Sequence, residues 1–112
     1  MADPTNPEKV VINSAFTTAL VAGSSGVELQ IESDVSLTAQ TVVLVVVRPN
    51  GLREQYAATV SVDGTFAWYV TDGSEFPVPG SYEVMLAIEV PTTSPQQYTY
   101  SVPIPVTVVA RL

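Results

Sequence analysis

Residues 41–48 read Thr-Val-Val-Leu-Val-Val-Val-Arg and run directly into Pro49-Asn50-Gly51. Six consecutive aliphatic residues, Val42 through Val47, closed by a turn signal, specify a strand that is apolar on both faces. A strand in an antiparallel two-layer protein needs only one apolar face, because the other meets water. The second face therefore needs a cover, either from this chain or from another molecule.

The sequence on either side supplies neighbouring strands. Residues 26–33 alternate, with Val27, Leu29 and Ile31 on one face and Glu28, Gln30 and Glu32 on the other. Residues 81–90 do the same: Tyr82, Val84, Leu86, Ile88 and Val90 oppose Glu83, Met85, Ala87 and Glu89. In residues 53–62, Tyr56, Ala58, Val60 and Val62 recur at period two. Asp63-Gly64 follows, a hairpin signal that asks for positive φ at both positions. The return over 65–71 is read with Phe66, Trp68 and Val70 inward and Ala67, Tyr69 and Thr71 outward. The apolar runs 10–13 and 16–20, split by Asn13-Ser14-Ala15, predict a first strand that bends or changes sheets.

The last strand, 98–110, carries Tyr98, Tyr100, Val102, Ile104, Val106 and Val108 at one parity. Pro103 and Pro105 lie between them and remove donors from a single side, which predicts an edge strand blunted against further pairing. Residues 34–40 read as a loop or a short bulged strand, 72–80 and 91–97 as loops, and residues 1–9 as a flexible or extended arm ahead of one domain at 10–112.

Composition restricts the function. Of the 112 residues, 46% are hydrophobic and only 13% charged, about half the usual share, so part of the surface is itself apolar or neutral. Four basic against eleven acidic residues give a net charge of −7, which disfavours nucleic acid and anionic membranes as partners. There is no Cys and no His, which removes disulfides, thiolate metal sites, the thiol nucleophile and the usual general base. No basic-then-apolar leader is visible, so synthesis in a reducing cytoplasm is expected unless a signal segment was removed.

Seven short strands with turn signals between them and no helical periodicity predict an all-β, antiparallel β-sandwich without a disulfide. Within it, Pro79-Gly80-Ser81-Tyr82-Glu83-Val84 resembles the start of the sixth strand of immunoglobulin-like domains. The resemblance makes Tyr82 the corner tyrosine, bonded to backbone upstream, and puts Val84 where antibody domains keep a cysteine. Trp68 departs from that pattern, since it follows the Asp63-Gly64 turn and does not lie on the third strand. The chain is thus similar to the broad immunoglobulin-like or fibronectin-III-like class. The layout of Arg48-Pro49-Asn50-Gly51, Asp63-Gly64-Thr65-Phe66 and Pro79-Gly80-Ser81-Tyr82 also resembles stand-alone immunoglobulin-like domains of tailed-phage virions. That resemblance implies a decoration, cement, tail or baseplate protein found in the virion after synthesis in the host cytoplasm.

Other chemistry is sparse. The carboxylate pairs Glu28/Glu32 and Glu83/Glu89 fall on outer strand faces and read as solvated charges. Asp72-Gly73-Ser74-Glu75, with Asp34 or Asp63, offers oxygen atoms to Ca²⁺ but lacks the alternating spacing of a calcium loop, and reads as a turn. Phe66, Trp68, Tyr82, Tyr98 and Tyr100 share core parity, which leaves Tyr69 as the one outward aromatic and argues against a sugar-stacking platform. No catalytic residue, metal or cofactor is expected.

The apolar run remains. If one parity of 42–47 builds the core, then Val43, Val45 and Val47, with Met85, Ala87 and Val109, form an outer patch rimmed by Glu83, Glu89 and Arg48. Its expected occupant is another protein subunit, a copy of this chain or a virion protein, in an oligomeric assembly. The intramolecular alternative is cover by residues 34–40, the N-terminal arm or the 91–97 loop. A glycan- or peptide-binding module of a cell-surface or secreted protein is the competing expectation.

Overall fold

The computed structural model describes residues 8–13, 19–33, 35–90, 97–101 and 103–110. Ten strands form among them: β1 (Glu8–Ile12), β2 (Leu20–Val21), β3 (Ser25–Glu32), β4 (Val42–Val47), β5 (Arg53–Ala57), β6 (Thr59–Val60), β7 (Phe66–Asp72), β8 (Gly80–Val90), β9 (Gln97–Tyr100) and β10 (Ile104–Val109). One sheet has the order β1-β3-β7-β6. The other has the order β2-β10-β8-β4-β5, with β9 also on β8. No helix occurs among the described residues.

The expected count of seven becomes ten because three of the expected strands are each broken in two. The first divides between the sheets, β1 joining the smaller and β2 the larger. Residues 53–60 likewise change sheet between β5 and β6, where the Ala58 amide donates to the Val42 carbonyl at 3.2 Å. The last breaks between β9 and β10, both paired to β8. The all-antiparallel expectation also needs correction: β1 runs parallel to β3 and β2 parallel to β10, while the other ladders are antiparallel. Glu8 and Lys9, assigned to the arm, stand in β1; residues 1–7 lie outside the described residues.

The core lies between the sheets, in a sandwich-like arrangement. Ile12, Leu29, Ile31 and Ala67 enter it from the smaller sheet, and Leu44, Val46, Tyr82, Val84, Leu86 and Val106 from the larger. Leu37, from the loop at 35–40, is fully buried among them. Its amide donates to the Gly64 carbonyl at 2.9 Å, which ties that loop to the β6–β7 turn. Gly64 has φ 75°, and a Cβ there would lie 2.3 Å from Thr38 Oγ1, so both backbone and packing demand glycine. Asp63 does not share the positive φ expected of it. Its Oδ1 instead accepts from Thr65 Oγ1 at 2.7 Å and Ser61 Oγ at 2.8 Å, bonds that hold its carboxyl below the ordinary value.

The parity expected for β7 is reversed. Ala67, Tyr69 and Thr71 face the core side, and Phe66, Trp68 and Val70 face outward. The reason is in the ladders: directly opposed residues share a face, and Ala67 opposes both Val60 and Ile31. An inward Val60 therefore forces an inward Ala67.

At the start of β8, the buried Tyr82 donates its hydroxyl to the Val78 carbonyl at 2.6 Å, and the Val78 amide donates back to the same oxygen at 3.3 Å. Phe76 packs edge-on to the Tyr82 ring, with centroids 5.1 Å apart. Gly80 is held at φ 149° where an added Cβ would meet Pro49 Cγ at 2.7 Å, so the Pro49-Asn50-Gly51 turn lies against backbone. The blunted edge of the last strand is only partly an edge, since β2 pairs with Val108 and Val109, beyond the exposed Pro103 and Pro105.

Candidate functional site

The β4–β8 pair resolves which valines do which work. Val42, Leu44 and Val46 oppose Ile88, Leu86 and Val84 and belong to the core. Val43, Val45 and Val47 oppose Ala87, Met85 and Glu83 on the outer face of the larger sheet. There Val45, Met85 and Ala87 make a second apolar cluster, flanked by Val43, Val47 and Tyr98. Val45 and Ala87 are 0% exposed and Met85 is 7% exposed. The expected open patch is thus largely closed within the chain; residues 1–7 and 91–96, two of the segments considered as its cover, lie outside the described residues.

The cover comes from a one-residue slip. Along β9, Tyr100 opposes Ala87 and Tyr98 opposes Glu89; along β10, Ile104 opposes Val84. The paired numbers sum to 187 on β9 and 188 on β10, so the later strand holds one extra residue between them. Such a bulge turns the preceding side chains to the other face. Tyr98 and Tyr100, expected in the core, stand on the outer face. Ser101 stitches the break: its amide donates to the Leu86 carbonyl, and its hydroxyl accepts from the Leu86 amide, both at 2.9 Å. Pro103, which has no N–H to offer, sits in this break, and Val102 lies outside the described residues.

From the opposite edge, Arg53 on β5 reaches across the sheet. Its Nη2 lies 3.9 Å from Met85 Sδ, and its guanidinium carbon lies 5.3 Å from the centre of the Tyr100 ring. The Tyr98 and Tyr100 rings are 6.2 Å apart. Tyr100 remains 47% exposed and Val109 42%. The outer face of the larger sheet is therefore two tyrosines and an arginine laid over an apolar floor, with Val43 and Val47 half-buried beside them. Sequence reading missed Arg53, Tyr98 and Tyr100. The Ser101-Val102-Pro103 break was the available signal, since proline inside a strand marks a bulge or an edge.

A second polar cluster closes one end of the sandwich. Glu75 is fully buried and accepts from the Tyr69 hydroxyl at 2.5 Å and from the amides of Asp72 and Gly73 at 3.1 and 3.2 Å. Asp72 accepts from the amide and hydroxyl of Ser74. The Asp72 and Glu75 oxygens considered for Ca²⁺ thus accept from Tyr69 and from the loop's own donors, and Asp34 lies outside the described residues. Arg48 joins this loop to the β4–β5 turn through the Ser74 carbonyl at 3.1 Å and Glu54 at 3.9 Å. Burial, then the bond to Glu75 and its negative charge, push the Tyr69 phenol well above its ordinary 10.0. Elsewhere, a cleft of about 110 Å³ beside β1 and β2 is lined by Val10, Leu20, Val27, Leu29, Thr71 and Phe76, with no ionisable group among its lining residues.

No protein-family model matches the sequence, and no curated protein matches it.

Val45→Glu forces a carboxylate into the buried floor beside Met85 and Tyr98 and should destabilise by about 3 kcal/mol or more in urea unfolding, while Tyr100→Ser should stay within roughly 1 kcal/mol of the parent. Equal small effects would show that Val45 is solvent-facing. For Tyr69, the raised folded-state value means that its contribution is fully present below pH 10.0 and is lost as pH rises from there toward the raised value. Stability measured on the alkaline side should fall more steeply for the parent than for Tyr69→Phe; parallel slopes would contradict the assignment.

Proposed function

We propose that this chain is a non-enzymatic assembly protein: an immunoglobulin-like module that works by protein–protein contact, as a decoration, cement, tail or baseplate component of a tailed-phage virion. The observation that carries the reading is the tyrosine–arginine cap. Tyr98, Tyr100 and Arg53 over a floor of Val45, Met85 and Ala87 have the composition of contact hot spots, where aromatic, Arg and Met side chains are enriched. The rings are held by a bulge and the guanidinium by Tyr100 and Met85, so little side-chain freedom remains to be lost on docking.

The immunoglobulin-like part of the reading rests on the Tyr82–Val78 bond, the glycine ahead of it and the two-sheet arrangement. The parallel β1–β3 pairing is a departure from the antiparallel arrangement of that class. The virion part rests on the resemblance of the Arg48-Pro49-Asn50-Gly51, Asp63-Gly64 and Pro79-Gly80-Ser81-Tyr82 layout and on a charge of −7, which suits a protein-coated surface better than a nucleic acid or an anionic membrane.

The reading predicts capsid or tail genes beside the gene. It also predicts that the purified chain binds particles lacking it, and that the Arg53→Glu, Tyr100→Ser variant does not bind although it still folds, with a cooperative unfolding transition. Capsid genes absent from the neighbourhood, or undiminished binding by the variant, would contradict it.

A further inference from the structure

We propose that Asn50 is a site of self-modification: its carboxamide cyclises onto the Gly51 nitrogen, and water opens the ring to aspartate or isoaspartate. The proposal stands independently of what the tyrosine–arginine cap contacts.

The chain holds three asparagines, and the residues that follow them differ in what they allow. Asn6 precedes Pro7, whose nitrogen carries no proton to lose and cannot attack. Asn13 precedes Ser14, whose Cβ hinders attack by its nitrogen, and Asn13 Nδ2 is held by Glu32 Oε1 at 2.7 Å. Asn50 precedes Gly51 at the tip of the β4–β5 hairpin, and both residues are exposed. Among the described residues, no heavy atom beyond the chain neighbours lies within 4 Å of where a Gly51 Cβ would stand, so the approach is open. The two Asp-Gly pairs are closed by comparison. A Cβ on Gly64 would strike Thr38, and one on Gly73 would lie 3.4 Å from the Gly23 carbonyl oxygen. Asp63 and Asp72 are also ionised and tied to Thr65 and Ser74, and a carboxylate resists attack where a carboxamide does not.

The turn brings the two reacting groups together. The Gly51 amide donates to the Arg48 carbonyl and the Arg48 amide to the Leu52 carbonyl, both at 2.8 Å, which makes a three-residue hairpin loop ending in glycine at φ 86°. Asn50 Oδ1 accepts from the Leu52 amide at 2.9 Å. That bond closes a ring containing both Asn50 Cγ and the Gly51 nitrogen, and it polarises the carbonyl that is attacked. Arg48 and Arg53, two of the four basic residues, flank the turn, and their charge favours an anionic nitrogen and the oxyanion that follows. The restraint is the Gly51 proton, held by the Arg48 carbonyl, so its loss to hydroxide sets the rate. The Gly51 nitrogen then bonds to Asn50 Cγ, and Nδ2 leaves as ammonia, taking a proton back from water. A second water cleaves one of the two ring bonds to that nitrogen. Cleavage at Cγ leaves aspartate in an unchanged backbone. Cleavage at the main-chain carbonyl routes the backbone through Cγ and lengthens it by a methylene, in a turn that packs Pro49 against Gly80 and leads directly into Arg53.

The test incubates the intact, folded chain in mildly alkaline buffer and follows it by ion exchange, peptide mass mapping and labelling with isoaspartyl methyltransferase. We expect the peptide that carries Asn50 to convert from amide to acid, to take the isoaspartyl label, and to do so at a rate that rises with hydroxide. Asn50→Gln, which must close a larger ring, should slow the conversion at that position by at least about tenfold, and Asn13→Gln should leave it unchanged. The isoaspartyl fraction, separated by ion exchange, should unfold at lower urea than Asn50→Asp, which carries the added charge on an unlengthened backbone. Acid formed at Asn13 in place of Asn50, conversion seen only in urea, undiminished conversion in Asn50→Gln, or an isoaspartyl fraction as stable as Asn50→Asp would overturn the proposal.

Discussion

The β4–β8 pair carries apolar side chains on both faces, and the rest of the structure answers that constraint. On one side Leu44, Val46, Val84 and Leu86 require a second sheet, and β3 and β7 supply Leu29, Ile31 and Ala67 against them. On the other side Val45, Met85 and Ala87 have no sheet to pack on. Leaving them wet would cost on the order of 1.5–3 kcal/mol for each of the larger side chains. A single extra residue near Ser101 resolves this without another layer. It lets β10 send Ile104 and Val106 into the core while β9, on the same side of β8, turns Tyr98 and Tyr100 outward over the second cluster.

What the cover is made from sets the character of the outer face. An aliphatic cover would simply have thickened the protein. Tyrosine and arginine bury apolar surface and still present hydroxyl and guanidinium groups to water. The same economy appears at the end of the sandwich, where Glu75, Tyr69 and the backbone of Asp72 and Gly73 satisfy one another. A sequence rich in loop carboxylates thereby uses one of them as an internal tie. The two outer faces differ in character: the larger sheet shows Tyr98, Tyr100 and Arg53, and the smaller shows Trp68 between Glu28 and Glu32.

Much of this was legible in the residues. Period-two patterns located β3 and β8 and the correct face of nearly every side chain in them, while the unbroken run Val42–Val47 located β4 and left its parity open. The Tyr82 bond to upstream backbone lay where Pro79-Gly80-Ser81-Tyr82 put it. The inward Ala67 was also within reach, because a tight turn at Asp63-Gly64 makes Val60 and Ala67 opposite partners, and opposite partners share a face. Hydrophobicity argued the other way, since Phe66, Trp68 and Val70 outrank Ala67, Tyr69 and Thr71 as core formers. Pairing geometry won. The bulge was harder to see: unbroken parity from Tyr98 to Val108 looks like one strand, and only the prolines hint at a slip. Leu37 was hidden for a different reason, as one leucine in a polar loop has no period to betray its burial. Arg53 was hidden because cross-sheet reach depends on three dimensions.

The direct test of the central claim is proximity between the Tyr98 ring and the outer-face side chains, measured by nuclear Overhauser effects in the intact protein. Contacts from Tyr98 ring protons to the methyl groups of Val45, Val43 or Val47 or to Met85 are expected. Contacts instead from the Tyr98 ring to Leu44 or Leu86 methyl groups would place the tyrosine in the core, remove the register slip, and contradict the account.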